Sequence, residues 1–129
     1  MKTLLTVTAI IEAGAGLALA GVPSQTASFL LGAPLDSTAA AGLARVGGAA
    51  ILALAIICWL ARRDPHSPVA RGLIVAMLFY NFAVAGVLTL ASLGDGRYGA
   101  LLWPAVTFHV AMGGWCVATL YRNENGVLR

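Results

Sequence analysis

Charge is what this sequence has least of. Only 10% of its 129 residues are Asp, Glu, Lys or Arg, against about a quarter in an ordinary soluble domain, so the chain lacks the means to solvate a globular surface. Cysteine is nearly absent: Cys58 and Cys116 form no CxxC motif, and because both fall toward the cytoplasmic ends of their helices in the reading below, no disulfide is expected. Histidine is confined to His66 and His109. One histidine and one glutamate inside apolar segments are too few ligands for a closed zinc site, and no metal site is expected. Basic residues outnumber acidic ones, 8 to 5, yet there is no basic patch interleaved with aromatics. The arginines fall at the ends of apolar runs, which excludes nucleic acid as a partner and makes the positive charge a matter of membrane topology.

What the chain does have is apolar surface. Hydrophobic residues make up 60% of it and the mean hydropathy is +0.87, values that belong to an integral membrane protein in contact with lipid. The first twenty residues, MKTLLTVTAIIEAGAGLALA, resemble a secretory signal, with Lys2 before an apolar stretch and an Ala18-x-Ala20 site. Glu12 in the middle of that stretch opposes cleavage, so the segment is expected to stay as a first transmembrane helix, residues 3–20. It ends at Gly21-Val22-Pro23. Residues 24–35 (SQTASFLLGAPL) are too short to span and read as an interfacial segment. Asp36, Ser37 and Thr38 are good N-caps for a second helix over 37–61. A polar turn with two prolines leads to a third helix, 69–93. Residues 94–97 (GDGR) form a turn, and a fourth helix runs over 100–121 with Pro104 in its first turns, before a frayed polar tail. The expected fold is an all-α bundle of four transmembrane helices in a single domain.

Four crossings put Lys2, Arg62, Arg63, Arg71, Arg122 and Arg129 on one side and leave only Arg45 and Arg97 on the other half. By the positive-inside rule both termini are then cytoplasmic, in a bacterial inner membrane. Trp59 and Tyr121 fall at one interface and Tyr98 and Trp103 at the other, as aromatic belts do, whereas Trp115 lies deeper.

Each of the four helices carries one strongly polar residue near its middle: Glu12, Arg45, Asn81 and His109. At about 1.5 Å rise per residue they lie about 12 to 18 Å from their helix ends, within one slab of a core about 30 Å thick. An ionisable side chain at that depth costs a few kcal/mol or more unless it is buried against a partner. The i±3 and i±4 neighbours of Glu12 (Thr8, Ala9, Ala15, Gly16) and of Arg45 (Ala41, Gly42, Gly48, Ala49) are small, which marks faces where helix backbones approach closely. These polar groups are therefore expected to point inward, with Asn81, flanked by Met77, Leu78 and Val84, the least clear. Two arrangements follow. Either Glu12 and Arg45 form a buried ion pair that fixes helix register, or the slab of Glu12, Arg45, Tyr80, Asn81 and His109 is a ligand or proton site. Arg45 could instead snorkel outward, leaving Glu12 unpaired.

The segment LARVGGAAILALAIICWLARR, residues 43–63, resembles the Arg-x-x-Gly-x-x-x-Leu helix of the DoxX-like group of small bacterial inner-membrane proteins, through Arg45, Gly48 and Leu52. That resemblance implies a four-helix bundle and, since some DoxX-like proteins belong to membrane oxidoreductase complexes handling sulfur compounds and quinone, a polar or quinone-like partner near Arg45. In size, helix number and first-helix glutamate the chain is also similar to small multidrug-resistance transporters, from which it departs by inserting residues 23–36. Two functions from different classes follow as expectations: binding or transport of a small molecule or proton at Glu12, and a non-catalytic accessory role in a larger membrane complex or homo-oligomer. No catalytic set is visible. An enzyme acting on a quinone or sterol-like molecule near His109 and Tyr80 ranks third, and haem ligation by His109 would need a second copy to supply the other axial ligand.

Overall fold

The computed structural model describes residues 1–95 and 99–127. Five helices account for nearly all of them: α1 (Lys2–Gly21), α2 (Pro23–Leu31), α3 (Thr38–Ala61), α4 (Pro68–Asp95) and α5 (Leu102–Val127).

The helix boundaries have local causes. Val22 precedes proline, a position pushed out of the helical region, and takes φ −129°, ψ 59°; Pro23 then opens α2, where its missing N–H is no loss. Thr26 folds this corner back by donating its hydroxyl to the carbonyls of Ala18 (3.1 Å) and Val22 (2.9 Å). Helix α2 stops at Gly32, whose φ of 77° is the left-handed C-cap geometry that glycine adopts freely. Of the three candidate caps for α3, Ser37 does the work, its Oγ accepting from the Ala40 N–H at 3.1 Å. At the far end of α3, Arg62 turns back over the Trp59 ring, 3.5 Å from its centroid.

Two expectations change. Helix α5 does not fray after Tyr121 but continues to Val127: the polar residues that follow end the apolar stretch without breaking a helix, so hydropathy marks where the membrane would stop, not where the helix does. The turn expected at 94–97 begins later, since Gly94 and Asp95 still belong to α4; Gly96 and Arg97, with Tyr98, lie outside the described residues.

By length and composition α1, α3 and α4 are apolar enough to cross a membrane. The fourth long helix, α5, is not among them, because Pro104, Thr107, His109 and the Gly113-Gly114 pair dilute its hydropathy. Large apolar side chains such as Ile10, Leu43, Phe79, Val87 and Leu90 point outward on the first three, as contact with lipid acyl chains requires.

The helices pack as two close pairs, α1 with α3 and α4 with α5. Glycine sets the first pair. A Cβ on Gly48 would lie 2.5 Å from the Ala20 nitrogen and 2.8 Å from the Gly16 carbonyl oxygen, and one on Gly16 would lie 2.9 Å from the Gly48 oxygen. Backbone touches backbone here, so no side chain fits between. The two pairs then meet through longer side chains at the end of the bundle that carries the N-terminus and the 62–67 turn. Leu4, Leu5, Cys58, Ile74, Met77, Met112 and Cys116 form one buried cluster there; both cysteines are free thiols inside it.

Replacing Gly48 with valine should therefore separate α1 from α3 and lower stability by about 1–3 kcal/mol, the usual cost of overpacking. Gly42→Ala, at a position with open space around it, should cost nothing measurable. Unfolding midpoints of the two variants in mixed micelles of graded denaturing detergent check this, and equal midpoints would refute the packing argument.

Candidate functional site

Beyond the leucine-rich cluster, α1 becomes small. Ala15 and Ala18 replace Leu4 and Leu5 on the face turned toward the other pair, and Ala105 does the same on α5. What these side chains do not fill is a cavity of about 520 Å³ between the two pairs, walled chiefly by apolar groups. Helix α2 closes the end away from the N-terminus, contributing Thr26, Phe29 and Leu30 to the wall. It is tied there by main chain: the Gly99 N–H donates to the Leu30 carbonyl at 3.0 Å and the Leu101 N–H to that of Phe29 at 2.9 Å. Both acceptors belong to the last turn of α2, where carbonyls lack intrahelical partners. Only glycine fits at 99, since a Cβ would run into the Phe29 carbonyl.

Polar groups gather at the opposite, deeper end. Glu12 is 3% exposed and lines the cavity; the Tyr80 hydroxyl donates to its Oε2 at 3.0 Å. One residue on, Asn81 is 1% exposed and donates from Nδ2 to the Met77 carbonyl at 2.7 Å. Its Oδ1 is thus left as an acceptor, 2.9 Å from His109 Nδ1. The imidazole must therefore carry its hydrogen on Nδ1, and Nε2 becomes the nitrogen free to accept from a ligand when the ring is neutral. Tyr80 stands edge-on to His109, with ring centroids 5.8 Å apart and planes at 78°, and Phe108 flanks it at 5.6 Å and 72°.

Four of the five residues singled out in the sequence, Glu12, Tyr80, Asn81 and His109, are thereby brought together. Arg45 is not. It is exposed on α3, it does not line the cavity, and the only polar partner Glu12 has among the described residues is Tyr80. The buried Glu12–Arg45 ion pair is corrected accordingly, and the outward-pointing arginine is what the structure has. The physical reason is that Arg45's small neighbours serve two surfaces. Gly48 faces α1 and is buried, whereas Gly42 and Ala49 are exposed, so smallness alone did not identify the packing face. Asn81, the least clear of the inward-pointing residues, is the most deeply buried of them.

Two features were missed. The 24–35 segment, expected only as an interfacial stretch, carries a helix that caps the cavity. Phe108 and Val84 are wall residues with no polar mark to set them apart. His66 lies elsewhere, on a second cavity at the N-terminal end, and among the described residues no three His, Cys, Asp or Glu side chains converge.

Against this geometry the comparisons add no relative: the chain matches no protein-family model, no curated protein and no solved structure.

Removing the Tyr80 hydroxyl deprives Glu12 of its hydrogen bond in the buried end of the cavity. Tyr80→Phe should lower stability by about 1–3 kcal/mol, and the same change should cost almost nothing in a Glu12→Leu background. A double-mutant cycle on detergent unfolding measures this coupling; additive effects would mean that the bond contributes nothing.

Proposed function

We propose that this is a small multi-pass protein of the bacterial inner membrane that binds a small molecule in the α2-capped cavity and couples its binding or passage to the protonation of Glu12. The observation that carries the reading is a carboxyl group 3% exposed, lining a cavity of about 520 Å³, with one hydrogen bond and no cation beside it among the described residues. A carboxylate so placed is strongly disfavoured unless it takes up a proton or meets a donor. A ligand carrying a polar group could supply that donor, and an emptied site would call for the proton.

The ligand that fits is mostly apolar with one polar group. Apolar walls from α1, α4 and α5 take its body, while Glu12, Tyr80 and His109 take the polar end. Cavities of this volume match drug-sized molecules. A quinone-like head, which the DoxX-like resemblance suggests, would accept from donors at the deep end; an amine or hydroxyl would donate to Glu12 or to His109 Nε2. In this reading α5 is a fourth crossing, since it lies antiparallel along α4 and extends the length of that helix. Both termini are cytoplasmic, which sets the arginines at the N-terminal end of the bundle on the inner side.

The test is native mass spectrometry on the protein extracted from its own cells in mild detergent. A monomer or small homo-oligomer with a reproducible added mass is expected. That mass should disappear in Glu12→Gln and in Ala105→Trp, which fills the cavity, while both variants keep the wild-type helical circular dichroism. Retention of the adduct in both would end the proposal. A persistent larger assembly with no small-molecule adduct would instead favour the accessory-subunit role.

A further inference from the structure

A second cavity, of about 490 Å³, opens at the other end of the bundle between α1 and α5. Its walls come from the first turn of α1 (Met1, Thr3 and Leu4), from His66 in the turn between α3 and α4, and from Trp115, Thr119 and Arg122 on α5. We propose that this cavity binds a phosphate-bearing anion, the headgroup of an anionic phospholipid of the adjacent leaflet.

Its chemistry differs from that of the capped cavity in each respect that matters. The side-chain polar groups among its described lining residues are two hydroxyls, an indole N–H, an imidazole and a guanidinium: every one can donate a hydrogen bond, and none of these described residues is a carboxylate. Donors so gathered suit an anion. Trp115, Thr119 and Arg122 are spaced i, i+4, i+7, so they form one stripe along α5, and the stripe runs from the amphipathic indole to the charge. That order matches a lipid at an interface, with its glycerol and upper acyl chain against Leu4 and Trp115 and its phosphate toward Arg122. Arginine's planar fork suits a phosphate through paired hydrogen bonds. The depth of Trp115, anomalous for an aromatic belt, follows if the ring belongs to the floor of a headgroup site. Position agrees as well: this end of the bundle carries Lys2, Arg62, Arg63 and Arg71, and basic pockets among membrane helices on the cytoplasmic side are where anionic headgroups dock.

The experiment uses the purified full-length protein in mild detergent, exchanged against dioleoylphosphatidylglycerol or dioleoylphosphatidylcholine, with bound lipid counted by native mass spectrometry. Wild type should retain the anionic lipid about tenfold better than the zwitterionic one, and Arg122→Gln should remove that preference, as loss of a charge-assisted contact predicts. Arg63→Gln removes the same charge from the same end of the bundle but outside the cavity, and should leave the preference intact. His66→Glu, an exposed change in a turn that folding tolerates, should abolish the preference as Arg122→Gln does, so the result does not hang on one variant. If millimolar inorganic phosphate displaces the lipid from wild type and binds without it, the phosphate-anion site stands and its occupant is soluble. Equal retention of the two lipids by wild type would overturn the proposal, as would an Arg63→Gln effect as large as that of Arg122→Gln.

Discussion

A carboxyl group cannot be carried into a hydrocarbon layer alone, and this molecule is built around that constraint. Glu12 stands midway along α1, and the hydrogen bond it receives from Tyr80 crosses from one helix pair to the other. That bond sets the register of α1 against α4, as a buried polar contact does in a coiled coil, and it brings the Asn81–His109 contact to the same level. The leucine cluster on one side and the cavity on the other are arranged about it. Toward the N-terminus, Leu4, Leu5 and Met77 fill the space between the pairs; beyond Glu12 the side chains shrink and the space stays open.

The elements were largely legible in the sequence, because each is bounded by a local device: Val22 before Pro23, Gly32, the Ser37 cap, the prolines around the 62–67 turn. Depth was legible too, since rise per residue places Glu12, Asn81 and His109 near one level without any knowledge of packing. Orientation about the helix axis was harder to read. In water a charged residue marks the solvent side of a helix, but in a chain with 10% charge most faces are apolar, and outward and inward differ only in how small the residues are. That is why Arg45 was placed among the buried groups. Of its two glycine neighbours only Gly48 packs against α1, while Gly42 stands on an exposed face. The cavity was illegible for a related reason: a void is made by what side chains on all five helices fail to fill, and no residue announces it.

The division into two pairs has a mechanical side. Within α1 and α3, backbone lies on backbone at Gly16 and Gly48, and such an interface has no rotamers with which to yield. Between the pairs the contacts run through leucine, methionine, tyrosine and histidine side chains, which do. The capped cavity and the cavity at the N-terminal end both lie on that boundary, with the leucine cluster between them.

The far end of the cap on the larger cavity is held by main chain. Helix α2 is fastened to the segment before α5 by the carbonyls of Phe29 and Leu30 and the amides of Gly99 and Leu101, groups that every residue but proline at the amide positions possesses. The side chains of Phe29 and Leu30, which line the cavity, take no part in those two bonds. The shape of the cavity and its closure are thus written at separate places: side chains at 29 and 30 can change the wall without touching those bonds, while a Cβ at position 99 would run into the Phe29 carbonyl and disturb the cap.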